Sequence, residues 1–294
     1  MALVDYSSSS SSSEAGDAHA PKRLKSQQDT KALAMPPLPA AFHDLYASTV
    51  RHSVVDDPCL HQGRKRQTPH IPGCWPSHIY VEWHPTPQQH GTLSKLLSMV
   101  EAEMGRGFEL HRFLTSDLGA PLPLHISLSR PLSLRSADKD AFLDRLTQSI
   151  QTSGLGTFSV APCGLAWYKS PDSDRTFFIL RVAAAPKSNN PQLTTLLERS
   201  NATANLYGQP TLYQKTRGEA VDMAFHVSIA WSFGLPGDEA SVETLKLFQH
   251  NDLTDLSKMR IDVTAVKAKI GNVVTHIPLA QHGNQPDGTG LALA

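Results

Sequence analysis

A chain of 294 residues, 40% of them hydrophobic, has ample material for a core, and its 27 basic and 27 acidic side chains leave no chain-wide field to hold nucleic acid or membrane by charge alone. Three cysteines, Cys59, Cys74 and Cys163, without C-x-x-C spacing, exclude a disulfide framework and a thiolate zinc site, so a reducing compartment is expected. The N-terminus has no apolar signal core and no uncharged apolar run reaches membrane-spanning length, so the expectation is an intracellular, soluble chain with no membrane partner.

Residues 1–60 are expected to form a largely disordered tail rich in Ser and Pro, since the Ser7 to Ser13 tract and Pro36, Pro37 and Pro39 offer little apolar surface to offset the entropy of ordering. Within it, Pro21-Lys22-Arg23-Leu24-Lys25 has the form of a nuclear import signal, a form also common in solvated tails. A second cluster, Arg64-Lys65-Arg66, can meet phosphates or simply sit in water. The globular domain is expected over residues 61–280, with 281–294 a flexible C-terminal tail.

From Ser77 the pattern is that of a half-buried strand, Ile79, Val81 and Trp83 alternating with His78, Tyr80 and Glu82. A helix follows on Leu93, Leu96, Leu97, Val100 and Met104, with Thr92 as N-cap and Gly105 at its end. After the Phe108 to Phe113 stretch, Leu124 to Arg130 reads as a strand. A second helix opens at Ser136 or Asp138, carries Phe142, Leu143, Leu146 and Ile150, and ends near Gly154, where one lobe is expected to close. Three strands are expected at Thr157 to Ala161, Leu165 to Tyr168 and Thr176 to Val182, the last two joined by a polar Pro-Asp-Ser-Asp loop. Pro191 opens a third helix with Leu193, Leu196, Leu197 and Ser200 on one face. A strand at Phe225 to Trp231, a fourth helix around Val242, Leu245 and Phe248, and a hairpin turning at Gly271-Asn272 complete the series. Strands and helices interspersed in this way predict an α+β fold of two pseudosymmetric lobes, with mostly antiparallel sheets and flanking helices around a central cleft.

Two strands carry the same pattern, Leu124-His125-Ile126-Ser127 and Phe225-His226-Val227-Ser228. Alternation puts Leu124, Ile126 and Leu128 on one face and His125, Ser127 and Ser129 on the other. In the second strand Phe225, Val227, Ile229 and Trp231 are apolar, leaving His226 and Ser228 together, about 6.5 to 7 Å apart along the strand. One His-x-Ser is common by chance; two in separate halves of the chain point to chemistry. A neutral imidazole takes a proton from a hydroxyl while a protonated one delivers a proton to a leaving oxygen, as phosphodiester transesterification requires. The serine hydroxyls suit non-bridging phosphate oxygens. A Ser-His hydrolase would need an orienting acid and a nucleophile elbow, and neither stands beside these strands. No H-E-x-x-H or Asp-rich motif is present, so neither a metal nor a cofactor is expected.

The paired motifs resemble the two-histidine (2H) phosphoesterase superfamily. The stretches Gly73-Cys74-Trp75-Pro76-Ser77-His78-Ile79-Tyr80-Val81, Arg175-Thr176-Phe177-Phe178-Ile179 and Ile270-Gly271-Asn272, with the motifs themselves, are similar to its U6 small nuclear RNA phosphodiesterase branch. The resemblance implies a nuclear, metal-independent 3′ to 5′ RNA exonuclease, acting as a monomer on the oligouridine end of U6 RNA. It implies catalysis by His125 and His226, with Ser127 and Ser228, His125 as proton acceptor and His226 as donor. It also implies a base-stacking Tyr213, ahead of an apparent insertion at Lys215 to Ala224, and substrate contacts from Ile126, Ala224, Phe225 and Val227, although alternation alone places Phe225 in the core. Two alternatives stand beside it: another 2H cyclic phosphodiesterase, and a module that binds nucleotide or RNA without turnover.

Overall fold

The computed structural model describes residues 71–280 apart from 106, 172, 185–189 and 214–223. The expected tails, the Arg64-Lys65-Arg66 cluster and all of the apparent insertion except Ala224 lie outside the described residues. Period-two burial governs the strands. In β1 (Cys74–Trp83), Ile79, Val81 and Trp83 are buried while His78, Tyr80 and Glu82 stay partly open. The same alternation runs through β3 (Leu124–Ser127) and the start of β7 (His226–Phe233). With β2 (His111–Arg112), β4 (Leu132–Arg135), β5 (Phe158–Lys169), β6 (Arg175–Ala183), β8 (Ile261–Val263), β9 (Ala265–Ile270) and β10 (Val273–Pro278), they form a 10-stranded sheet in the order β10-β9-β1-β3-β7-β6-β5-β8. β4 adds to β1, β2 adds to β7, and every pairing between these strands is antiparallel.

Among the described residues four helices flank the sheet: α1 (Pro87–Met104), α2 (Lys139–Gln151), α3 (Pro191–Leu206) and α4 (Asp238–Lys246). α1 starts earlier than Thr92. Its cap is Thr86, whose Oγ1 accepts from the Gln89 amide at 3.2 Å while the Gln89 side chain accepts from the Thr86 amide at 2.9 Å, with Pro87 next in line. Asp138 caps α2 through no side-chain bond and instead pairs with Arg135 at 2.6 Å. In α4 the expected apolar face is turned out: Val242 and Leu245 are exposed, and Thr244 is the side chain buried, its hydroxyl accepting from Trp167 Nε1 at 3.0 Å.

The two lobes are not the two halves of the sequence, as a close near Gly154 would make them. β9 and β10 return from the C-terminal end to cover the second edge of β1, which would otherwise expose an unpaired ladder. β2 crosses to β7 in the other lobe. Likewise α1 pairs with α4 and α2 with α3, each pair drawing one helix from either side of Gly154. The strands expected at Thr157 to Ala161 and Leu165 to Tyr168 are one strand, β5, whose register shifts between Pro162 and Gly164. Proline has no amide proton for the ladder, so a bulge absorbs it. The hairpin turns at Gly271, φ 59°, where a Cβ would come within 2.5 Å of the Trp75 ring. One hydrophobic cluster runs through both lobes, from Ile79, Val81 and Leu93 to Phe178, Leu180 and Val227.

Candidate active site

The lobes join where Ile126 of β3 pairs with Val227 of β7, both side chains fully buried. Continuing that antiparallel register sets His125 opposite Ser228 and Ser127 opposite His226. Directly opposed residues have Cβ atoms about 4.5–5.5 Å apart, and diagonal neighbours, as His125 and His226 are, have Cα atoms about 7–8 Å apart. All four turn away from the core face. Ser129, expected beside them, is instead buried, its Oγ accepting from the Ile79 amide at 2.9 Å.

The outer neighbours break the symmetry of the motifs. β1 sets Tyr80 opposite Ser127 and Glu82 opposite His125. β6 sets Ile179 opposite Ser228 and Arg181 opposite His226. Glu82 is engaged by Lys267 at 2.5 Å and His84 at 2.7 Å. Burial works against its ionisation, but those two partners outweigh it and carry the Glu82 pKa down to about 2.

His226 is oriented from behind. Its Nδ1 lies 2.7 Å from the Ala224 carbonyl, which fixes the Nδ1 proton there and leaves Nε2 for the cleft; Tyr213 Oη stands 3.4 Å from the same Nδ1. Burial lowers the His226 pKa and the Ala224 bond opposes that shift. His125 presents its ring to water yet sits deep among protein atoms, as the floor of a cleft does. Burial and the charge of His226 lower its pKa, with Glu82 acting in the other direction. His78 is a third imidazole at the site. Its Nε2 is 3.2 Å from Ser127 Oγ, and burial, then His125 and Lys269, hold its pKa near 3.

Two tyrosines flank His226. Tyr213 holds φ 58°, a left-handed conformation rare for a bulky residue. Its neighbour Leu212 is clamped on both backbone groups by Asn201, the amide donating to the Leu212 carbonyl at 2.9 Å and accepting from its N–H at 2.8 Å. Despite the ten residues from Lys215 to Ala224, then, Tyr213 reaches the second motif. Tyr168, 42% exposed, places its ring 5.8 Å from that of His226.

Of the residues singled out in the sequence, His125, His226, Ser127 and Ser228 come together, with Tyr213 beside them. Ile126, Phe225 and Val227 turn fully buried side chains into the core, so only their backbone borders the cleft, and Ala224 meets the site through the carbonyl on His226. His78, Tyr80, Glu82, Arg181 and Tyr168 were not singled out. Alternation puts the first three on the polar face of β1, but nothing in the sequence gives their register against β3. Among the described residues no three His, Cys, Asp or Glu gather as a metal-binding group, and no helix is long and apolar enough to cross a membrane.

A family model named HVSL, described as an uncharacterised conserved protein, matches residues 36–278, reaching into the segment expected to be tail. The chain is 39% identical over 281 residues to U6 snRNA phosphodiesterase 1 of Neurospora crassa, covering 85% of this chain and 76% of that protein. It is 24% identical over 284 residues to U6 snRNA phosphodiesterase 1 of Homo sapiens, covering 94% of this chain and 98% of that protein. Among solved structures, Kluyveromyces marxianus Usb1 with uridine monophosphate superposes with a TM-score of 0.53 at 19% identity, over 69% of this chain and 98% of that one. At that identity the likeness speaks for the fold.

Proposed function

The chain belongs to the family of the U6 snRNA phosphodiesterases 1, matched by the HVSL model, and from that premise we propose that it trims the oligouridine 3′ end of U6 small nuclear RNA as a metal-independent 3′ to 5′ exonuclease. The observation that carries this reading is the crosswise placement of two His-x-Ser motifs about one buried pair, Ile126 and Val227. It puts an imidazole on each of two adjacent strands with the hydroxyl of the other motif opposite each.

In this mechanism the 2′-oxygen of the penultimate nucleotide attacks its own 3′ phosphorus, and the bond from phosphorus to the 5′-oxygen of the terminal nucleoside breaks. His125 takes the 2′-hydroxyl proton and His226 gives a proton to the departing 5′-oxygen. The assignment is supported by two features: the Ala224 carbonyl partly offsets the burial that disfavours an imidazolium at His226, whereas at His125 burial and then the charge of His226 both act against one. Glu82 would oppose this but is committed to Lys267 and His84. Ser127 and Ser228 donate to non-bridging oxygens, where charge grows. Tyr168 and Tyr213 receive the terminal base, a contact worth about 1–3 kcal/mol by stacking. The product is RNA ending in a 2′,3′-cyclic phosphate, and water entering through the same pair would open it to a monophosphate.

The test is turnover of an oligouridine-ended RNA and of a small cyclic nucleotide by purified protein in excess chelator. Trimming of the RNA, with or without opening of the cyclic nucleotide, is the expected result. Turnover of the cyclic nucleotide alone would favour a cyclic phosphodiesterase, binding without turnover a non-catalytic module, and activity lost to chelator and restored by a divalent ion would refute metal independence. The reading extends to a monomer, since one chain supplies every group named, and to the nucleus, with Lys22, Arg23 and Lys25 as the import signal. Light scattering giving a dimer mass would contradict the first. Unchanged nuclear signal after all three basic residues are replaced by Ala would contradict that role for the cluster.

A further inference from the structure

The two His-x-Ser strands are alike, but the strand outside each is not. Two residues before Tyr80, which pairs with Ser127, β1 carries His78; two residues before Ile179, which pairs with Ser228, and past the register shift at Phe178 and Ile179, β6 carries Phe177. If this position only needed a ring to fill space, phenylalanine would serve in both lobes. His78 does more than fill space: its Nε2 is 3.2 Å from Ser127 Oγ, its ring stacks on Tyr80 at 5.2 Å and 21°, and its edge meets His125 at 5.3 Å and 84°. Stacked on one side and abutted on another, the ring is itself held in place.

We propose that His78 is a positioning residue for phosphodiester cleavage, acting through Ser127, whose hydroxyl oxygen it holds toward the phosphate before RNA arrives; this rests on the role of Ser127 given above. A serine side chain has three staggered rotamers. A hydrogen bond from a fixed ring selects one, whether the ring gives its proton or its lone pair. The groups charged or chargeable around His78 are His125 and Lys269, and with burial they disfavour an imidazolium there. The bond to Ser127 is therefore insensitive to pH over the working range of the enzyme, and His78 does not compete with His125 and His226 for protons. Ser228 faces Ile179, which offers no such bond, so the two serines are unequal.

The experiment is a double-mutant cycle on oligouridine-ended RNA, reading kcat and KM separately, with His78→Phe, His78→Gln, Ser127→Ala and the His78→Phe, Ser127→Ala pair. His78→Phe keeps the ring and removes the bond; kcat is expected to fall about tenfold to a hundredfold, the scale of a misplaced group, with KM little changed. His78→Gln, whose amide reaches the place of Nε2, restores most of that loss. In the Ser127→Ala background His78→Phe changes nothing further. Wild-type kcat in His78→Phe, a Gln variant as impaired as Phe, or an equal loss from His78→Phe with and without Ser127 would each overturn the proposal. A Ser127→Ala enzyme with full activity would instead show that the role given to Ser127 is wrong, and the proposal would fall for that separate reason.

Discussion

Ser127 of one lobe faces His226 of the other across the β3 and β7 ladder, one residue from the buried pair of Ile126 and Val227. Each imidazole therefore stands beside the hydroxyl of the opposite motif, and the reactive groups depend on one short strand contact for their spacing. Ile126→Ala tests that dependence. Removing a fully buried side chain of this size costs about 2–5 kcal/mol, so melting temperature falls, and turnover is expected to fall at temperatures where the variant is still folded. Turnover equal to wild type in the folded variant would mean that the spacing is fixed elsewhere.

Replacing His125 or His226 by Ala is expected to lower kcat by about 10²- to 10⁴-fold, the usual weight of one general acid or base. Because both serve one transition state, the double variant is expected to be scarcely worse than either single one. Losses that multiply would show two independent roles.

Both imidazoles proposed to move protons have lowered pKa values, His226 by burial and His125 by burial and the charge of His226. The base must be neutral and the acid protonated, so kcat/KM, which reports the free enzyme, is expected to be bell-shaped with both limbs below pH 6.5. A bound phosphate favours the imidazolium forms, so the kcat profile is expected to lie at higher pH. A kcat/KM optimum above pH 7 would contradict the burial argument.

Much of this architecture is written in the sequence, and the parts that are not have identifiable reasons. Alternation is a local property, so the His-x-Ser faces, the polar side of β1 and the Gly271 turn are legible from the residues alone. Thr86-Pro87 and Gln89 were an equally local signal for the start of α1, but Thr92, closer to the apolar run, competed with it. Register and strand order are not local: nothing around His78 announces Ser127, and nothing in the last strands announces that they flank β1. The exposed Val242 and Leu245 mark the remaining gap, since a short helix with apolar residues on several sides leaves packing to choose the buried face.

Tyr213 and Asn201 form a linked pair of predictions. Tyr213→Ala is expected to raise KM by about tenfold to a hundredfold through lost stacking, while Tyr213→Phe keeps the ring and most of the affinity. Asn201→Ala strips partners from both backbone groups of Leu212 at a cost of about 1–3 kcal/mol and frees Tyr213 from its left-handed turn, so it is expected to lower the melting temperature and also raise KM. Unchanged KM in Tyr213→Ala would remove this ring from the binding site.

The central claim is that the nucleophile is the 2′-hydroxyl of the penultimate nucleotide, activated across the Ile126 and Val227 junction. The most direct measurement compares two RNAs by mass spectrometry of their products, one with 2′-deoxy at the penultimate position and one with 2′-deoxy at the terminal position. The account predicts that the first is bound but not trimmed, and that the second loses its terminal nucleoside at the normal rate to leave a 2′,3′-cyclic phosphate or its hydrolysed monophosphate. Removal of the terminal residue from the penultimate 2′-deoxy RNA at the normal rate would contradict it, because water would then be the nucleophile.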